Sequence, residues 1–403
     1  MVDEAAVLDV VKSRNVQTYF QPVVSLAARS IVGFEAFSRG GGAKEGGPSM
    51  EPSALFHCGL SPETKINVDR LCRETALAQF KPIHRSHRDL LLFLNVNTDI
   101  LPFVDMQTQV LKHQVTNMGL DLADVVVEVP LRVALGKEVV RFAEAYREMG
   151  FKLSLDNCGA GDGLENILGA VRPAFLKISP ALYGPGRDLD GLKRLVESAG
   201  RLGAMVVGQG VESEEASIRL LSAGVHLQQG YYYSKDGDGA GDQAQSFARK
   251  IQAANDKYKL AGRSMVRQRK EQFQAMFRTV GTVCSRLASL GEARFEDACR
   301  AMVRVTRGVV SVFVLNDKGL QITSRPHAEG GAKAISASLL GSARGVDHSV
   351  HDYFLYLDMG YEKFVTQPFI SPFTGAPVRL ITRSIYNSEG SRYVVCVETA
   401  LPE

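Results

Sequence analysis

Leu90-Leu91-Leu92-Phe93-Leu94-Asn95 is apolar at five consecutive positions and then ends on an amide. A half-buried strand alternates apolar and polar residues, so a run apolar on both faces predicts a strand covered on both sides, as in a parallel sheet. Val125-Val126-Val127-Glu128 repeats the pattern and again closes on a polar residue. Outward from these two, β-branched and apolar runs predict strands near 18–26, 30–38, 90–96, 125–130, 151–156, 173–178, 204–208 and 225–229. Amphipathic stretches at 62–80, 103–118, 137–149, 189–202 and 214–223 lie between them. Eight strands with repeated crossover helices predict an α/β fold, a closed barrel of the (β/α)8 type. Only a few residues around 27–30 join the first two strands, too few for a parallel crossover, so that pair is expected to be an antiparallel hairpin.

The chain has 403 residues, more than one ordinary domain needs, and the pattern changes after the eighth strand. The expected division is a barrel over 1–240, a helical linker over 241–290 and a small α+β domain over 291–403. Gly237-Asp238-Gly239-Ala240-Gly241 reads as a loop, and the following stretch to about 290 is nearly free of Gly and Pro. Phe273, Met276, Phe277, Val280 and Cys284 recur there at helical spacing. Two readings stay open for that helix: packing on its own domain, or pairing with its copy in a homodimer. From 295 a helix to 307, a strand at 309–315, a turn at 316–319 and another strand are expected, then strands over 363–370, 378–386 and 393–397.

Composition excludes several classes. A net charge of +3 without a basic block argues against a nucleic-acid surface. No run approaches the ~20 apolar residues of a membrane span. The acidic Met1-Val2-Asp3-Glu4 start has no apolar stretch behind it, so a cytoplasmic location is expected. Six cysteines without a CxxC pair predict buried or bystander thiols.

In a barrel of this type the chemistry gathers where the parallel strands end. The polar residues there are Glu35, Asn95, Glu128, Asp156, Asn157, Lys177, Gln209 and Gln229, and Gln21 joins them because its strand runs the other way. Oxygen donors without His or Cys suit a hard cation such as Mg²⁺, Mn²⁺ or Ca²⁺ rather than zinc. Asp156 to Gly161 would also suit a plain turn, whereas Glu35 inside an apolar strand needs a partner.

Several ordered motifs now carry a resemblance. Tyr19-Phe20-Gln21-Pro22-Val23, Glu35-Ala36-Phe37-Ser38-Arg39, Asn95-Val96-Asn97, Asp156-Asn157-Cys158-Gly159-Ala160-Gly161, Phe175-Leu176-Lys177-Ile178, Gly208-Gln209-Gly210-Val211-Glu212 and Gln229-Gly230-Tyr231 resemble those of EAL domains. These are cyclic-di-GMP phosphodiesterases, or binding relatives, on a modified barrel. The resemblance implies that Glu35, Asn95, Glu128 and Asp156 hold a first metal. It places Lys177 near the attacking water or phosphate, Gln21 and Arg39 on the dinucleotide, and Glu212 and Gln229 at the rim. The stretches 365–375 and 379–385 resemble a hairpin of PAS-like and Cache sensor domains, and the order of barrel, helix and sensor resembles a subset of EAL proteins.

Departures from the family pattern bear on activity. Asn157 stands where the resemblance implies a second aspartate, and Gln209 where it implies a glutamate. Leu131 replaces the second Glu of a Glu-x-x-Glu run, and Gly161-Asp162-Gly163-Leu164 lacks paired serines. One lost charge–charge interaction at ~4 Å and an effective dielectric of ~20 is about 4 kcal/mol, so a second metal is expected to bind poorly. A neutral amide cannot act as a general base, whose help is typically about 10²–10⁴-fold. Three readings follow: a signalling protein that binds cyclic-di-GMP without efficient hydrolysis, a slow phosphodiesterase, or a scaffold acting through a protein partner.

Overall fold

The computed structural model describes residues 4–41, 50–57, 59–96, 104–130, 137–159, 164–234, 244–327 and 344–401. Leu131, Asn97, the loop over 160–163 and the Gly-rich segment near 240 lie outside the described residues. The chain divides into two compact units, Met1–Gly262 and Arg263–Glu403.

In the first unit, helix α1 (Glu4–Ser13) precedes strands β1 (Val16–Ser25) and β2 (Ser30–Gly40). Then come α2 (Pro52–Leu55), α3 (Pro62–Ser86), β3 (Leu91–Asn95), α4 (Val104–Met118), β4 (Val125–Pro130), α5 (Lys137–Glu148), β5 (Lys152–Cys158) and α6 (Leu164–Val171). β6 (Phe175–Ile178), α7 (Asp190–Arg201), β7 (Met205–Gly208), α8 (Glu214–Ser222) and β8 (Leu227–Gln228) complete the ring. The eight strands close in sequence order. β1 runs antiparallel to both β2 and β8, and the other neighbours are parallel. The expected hairpin is present.

Local signals account for the helix starts. Ser61 and Ser213 accept hydrogen bonds from Thr64 and Ala216 backbone N–H groups, and Pro62 opens α3 where its missing N–H costs nothing. One boundary differs from expectation. The amphipathic stretch is expected to end at residue 80, yet α3 runs on past Pro82 to Ser86. His84 Nε2 lies 2.9 Å from Asp124 Oδ2, its ring packs 5.7 Å from that of Phe80, and this tertiary anchoring outweighs the proline penalty.

Inside the barrel, Val23, Phe93, Val126, Phe175 and Val207 form one packed layer. Side chains repeat every two residues along a strand, so the residues two positions nearer the rim point into the same interior. Those residues are Gln21, Asn95, Glu128, Lys177 and Gln209. Glu35 faces Phe93 across β2–β3, and Asp156 lies across from Pro130 at the ends of β4 and β5. A polar layer thus sits directly on an apolar one.

Helix α9 (Ala244–Ala288) is continuous across residues 262–263, where the two units divide. The second unit adds α10 (Phe295–Val305), β9 (Val309–Asn316), α11 (Asp352–Asp358), β10 (Lys363–Val365), β11 (Phe369–Ile370), β12 (Pro377–Tyr386) and β13 (Arg392–Ala400). Its antiparallel sheet runs β10-β12-β13-β9, with β11 also on β12. The single strand expected over 363–370 is two short ones, because Pro368 has no N–H for the ladder. The strand expected after the turn at 316–319 is reduced to isolated bridges at Leu320 and Gln321.

The apolar layer underlies everything above it. Phe175→Ala, which removes a side chain 1% exposed and 5.1 Å from the Phe93 ring, is expected to cost about 3–5 kcal/mol in urea unfolding of the barrel. Leu202→Ala, at a 46% exposed position, is expected to stay within about 0.5 kcal/mol. Equal losses for the two would contradict this layering.

Candidate active site

Lys177 occupies the bottom of the polar layer, fully buried over the Phe93 ring at 5.0 Å. Its Nζ lies 2.6 Å from Glu35 Oε2 and 2.5 Å from Glu128 Oε1. Glu35 is then saturated. Its Oε2 accepts from Gln229 Nε2 at 2.7 Å, and its Oε1 accepts from Asn95 Nδ2 at 2.8 Å. Gln229 Nε2 also reaches Gln21 Oε1 at 2.8 Å. Asp156 Oδ1 accepts from Gln209 Nε2 at 2.7 Å.

The electrostatics are uneven. Burial raises the Glu128 carboxyl well above its usual range, Glu35 and Asp156 add to this, and Lys177 offsets only part of it. Burial acts the same way on Glu35, but the charge and hydrogen bond of Lys177 outweigh it and the carboxyl ends below its ordinary value. Asp156 is raised, first by burial. Burial opposes the charge on Lys177, yet Glu128, Glu35 and Asp156 together raise its pKa. Three carboxylates therefore share one ammonium, and Glu128 Oε2 is buried without a hydrogen-bond partner among the described residues.

Above this layer opens a cavity of about 470 Å³, lined by Gln21, Glu35, Asn95, Asp156, Gln209 and Gln229 at its base. Glu128 and Lys177 lie beneath that surface. Gly230 fixes the approach of Gln229: a Cβ there would stand 2.2 Å from the Val211 backbone N, whose N–H donates to Gln229 O at 3.0 Å.

Three residues expected at the site stand apart from it. Arg39 is half-buried, 5.1 Å over the Tyr19 ring and 3.6 Å from Glu51, and does not line the cavity. Glu212 is exposed in the turn before α8. Asn157 is exposed at a φ of 55°, within an irregularity in the β5–β6 pairing. Asn tolerates that left-handed conformation well, so its backbone alone accounts for an Asn there. Conversely, α3 supplies a wall feature the strand-end reading missed. Asp69 and Arg73 line the cavity as an ion pair at 2.6 Å, with side chains 3% and 2% exposed. Their four-residue spacing on a helix was the available signal.

Comparison with known proteins bears on this geometry. Residues 4–236 match the EAL domain. The chain belongs to the EAL-domain family. Among curated relatives, it is 24% identical over 228 residues to the probable cyclic di-GMP phosphodiesterase PdeB of Escherichia coli K12, covering 56% of this chain and 44% of that protein. Probable cyclic di-GMP phosphodiesterase PdeI of the same organism is 25% identical over 231 residues, covering 54% and 28%. The chain thus spans less than half the length of these curated relatives. Among solved structures, the Bacillus subtilis YkuI protein, which has an EAL domain and is in complex with substrate c-di-GMP and calcium, aligns over all of both chains with a TM-score of 0.77 and 17% identity. The Xanthomonas citri FimX EAL domain, in complex with c-diGMP, aligns over 58% of this chain and 92% of that one, with a TM-score of 0.51 and 19% identity. At such identities the likeness is one of fold. The EAL barrel and its antiparallel first strand match the sequence-based expectation.

The residues fit a hard cation in kind. The donors are oxygens, and an orphaned carboxylate oxygen on Glu128 faces an excess of negative charge. As they stand, however, no three of His, Cys, Asp and Glu among the described residues converge as a metal cluster. Lys177 instead bridges two of the acids.

Removing that bridge is expected to be severe. Lys177→Met should cost about 3–5 kcal/mol at pH 8, because it leaves buried carboxylates without their cation. The sign with pH follows from linkage. The raised pKa of Lys177 supplies stability that is present below its unfolded value and lost as pH rises through the folded one. The lowered pKa of Glu35 supplies stability present above its unfolded value and lost as pH falls through the folded one. The variant should therefore lose less at pH 4 than at pH 8. Urea unfolding at both values checks this, and an equal loss would contradict it.

Proposed function

We propose that the EAL barrel binds cyclic-di-GMP together with one divalent cation and does not hydrolyse it efficiently. The hydrogen bond from Gln209 Nε2 to Asp156 Oδ1 is the observation that carries this reading. A glutamate at 209 would set two carboxylates against each other and invite a second cation between them. The amide satisfies Asp156 directly, adds no charge and accepts no proton at neutral pH. Asn157 acts in the same direction, because it too is neutral.

Glu35, Asn95, Glu128 and Asp156 are the residues assigned to the cation, and Mg²⁺, Mn²⁺ and Ca²⁺ all suit such oxygen donors. When bound, that cation would polarise a phosphodiester oxygen. Lys177 holds Glu35 and Glu128 in place from below, and Gln21 and Gln229, beside Glu35 at the base of the cavity, present amides to the ligand. The roles of Arg39 on the dinucleotide and of Glu212 at the rim require movement of exposed or half-buried side chains. Binding, rather than cutting, is the output. It is read by a sensor-like, PAS-type second domain, with residues 1–240, 241–290 and 291–403 as barrel, helical linker and sensor. Homodimerisation through that helix and a cytoplasmic location complete the proposal. No helix among the described residues is long and apolar enough to cross a membrane.

A slow phosphodiesterase is the second reading, favoured by the curated relatives, which are themselves described as probable phosphodiesterases. Calorimetry with cyclic-di-GMP, with and without Ca²⁺, should show binding that the cation strengthens, while chromatography of overnight reactions shows little product. Linear product formation that vanishes in Glu35→Ala would favour the enzyme, and absence of heat would remove the binding reading.

Gln209→Glu tests the carrying observation. In a chelator it should lower the melting temperature, since two carboxylates then meet where a 2.7 Å hydrogen bond stood. Mn²⁺ should restore more stability to this variant than to the parent. An unchanged response to Mn²⁺ would contradict the assignment. With Asn157→Asp added, measurable turnover is expected to return.

A further inference from the structure

The second unit contains a cavity of about 1010 Å³ whose chemistry is unlike that of the barrel site. Arg269 of α9, Arg307 between α10 and β9, and Arg379 of β12 line it, and no Asp or Glu among the described residues does. None of the three arginines has a carboxylate within ion-pair distance among the described residues. A concave surface with three guanidinium groups and no carboxylate among its described lining residues attracts anions.

Its floor is more specific than its charge. Arg379 and Thr399 are direct partners across β12 and β13. They share a face with Ile381 and Val397, the next pair inward, which pack in the core that also contains Val280 and Leu287 of α9. The polar pair thus stands where that apolar seam ends. Thr399 is 2% exposed, and its Oγ1 has no hydrogen-bond partner. Arg379 Nε is likewise buried and unpartnered, while its guanidinium lies 5.0 Å over the Phe273 ring. An irregularity between β13 and β9 falls at Glu398 and Thr399, where a bulge re-aims a side chain. Two buried hydrogen-bonding groups that face each other without partners cost the fold stability, so they call for a ligand.

We propose that this cavity binds a small oxyanion, with Arg379 Nε–H and the Thr399 hydroxyl donating to one oxyanion group and Arg269 and Arg307 balancing further negative charge. A phosphate and a carboxylate share this chemistry, and a guanidinium fork suits either. Phe273 and Met276 give the cavity an apolar wall for the remainder of such a molecule.

The full chain is titrated with pyrophosphate and, separately, with citrate at constant ionic strength, using calorimetry and melting temperature. Saturable binding of either is expected, and the tighter of the two tells a phosphate from a carboxylate source. Arg379→Gln should weaken that binding by about tenfold or more. Thr399→Val only removes an unpartnered hydroxyl, so the free protein should keep its melting temperature while anion affinity falls about three- to tenfold. This variant decides the matter even where Arg379→Gln folds poorly. No saturation with either probe, or equal affinities in the parent and Thr399→Val, would overturn the proposal. So would a drop in oligomeric mass in Arg379→Gln with anion affinity unchanged, which would assign the arginines to a contact between copies.

Discussion

Lys177 Nζ, held between Glu35 and Glu128 beneath the barrel rim, is the contact on which the candidate site depends. Burial pushes both carboxyls up and Glu35 pushes Glu128 up further, while Lys177 pulls both down and, with hydrogen bonds from Asn95 and Gln229, brings Glu35 below its ordinary value. A buried ion pair of this kind is weak evidence for net stability, since desolvation offsets most of the attraction. Its value is positional. Glu35 is locked by Lys177, Asn95 and Gln229 together, so its oxygens cannot wander. Glu128 is held by Lys177 at one oxygen, and the other is buried without a hydrogen-bond partner among the described residues.

The barrel and the polar layer are largely legible in the sequence, for a simple geometric reason. Runs such as 90–94 and 125–127 are apolar on both faces, which identifies buried parallel strands, and each then ends on a polar residue. Period-two alternation carries those ends inward together. What the pattern could not supply was the depth of each residue. Lys177 lies under the cavity, while Glu212, read from a similar motif, lies in solvent. The Asp69–Arg73 pair was invisible to a search of strand ends because it comes from α3. The extent of α3 past Pro82 was hidden too, because tertiary contacts at His84 decide it.

The two amides, Asn157 and Gln209, sit in different settings. Asn157 sits on an exposed left-handed turn, where an asparagine is comfortable whatever the chemistry nearby. Gln209 makes a specific bond that a glutamate could not make without protonation or a metal. The second substitution is therefore the informative one. Its amide donates to the Asp156 carboxylate and adds no charge of its own. The second unit shows the opposite case, in which buried donors at Arg379 and Thr399 find no hydrogen-bond partner among the described residues.

The central claim is that the barrel retains a ligand-holding set with room for one cation and has lost the charge needed for a second. Electron paramagnetic resonance of the full chain titrated with Mn²⁺ in the presence of cyclic-di-GMP measures this directly. The account predicts one tightly bound Mn²⁺ per chain, with the spectrum of an isolated ion. Two tightly bound ions per chain, with the splitting of an exchange-coupled pair, would contradict it.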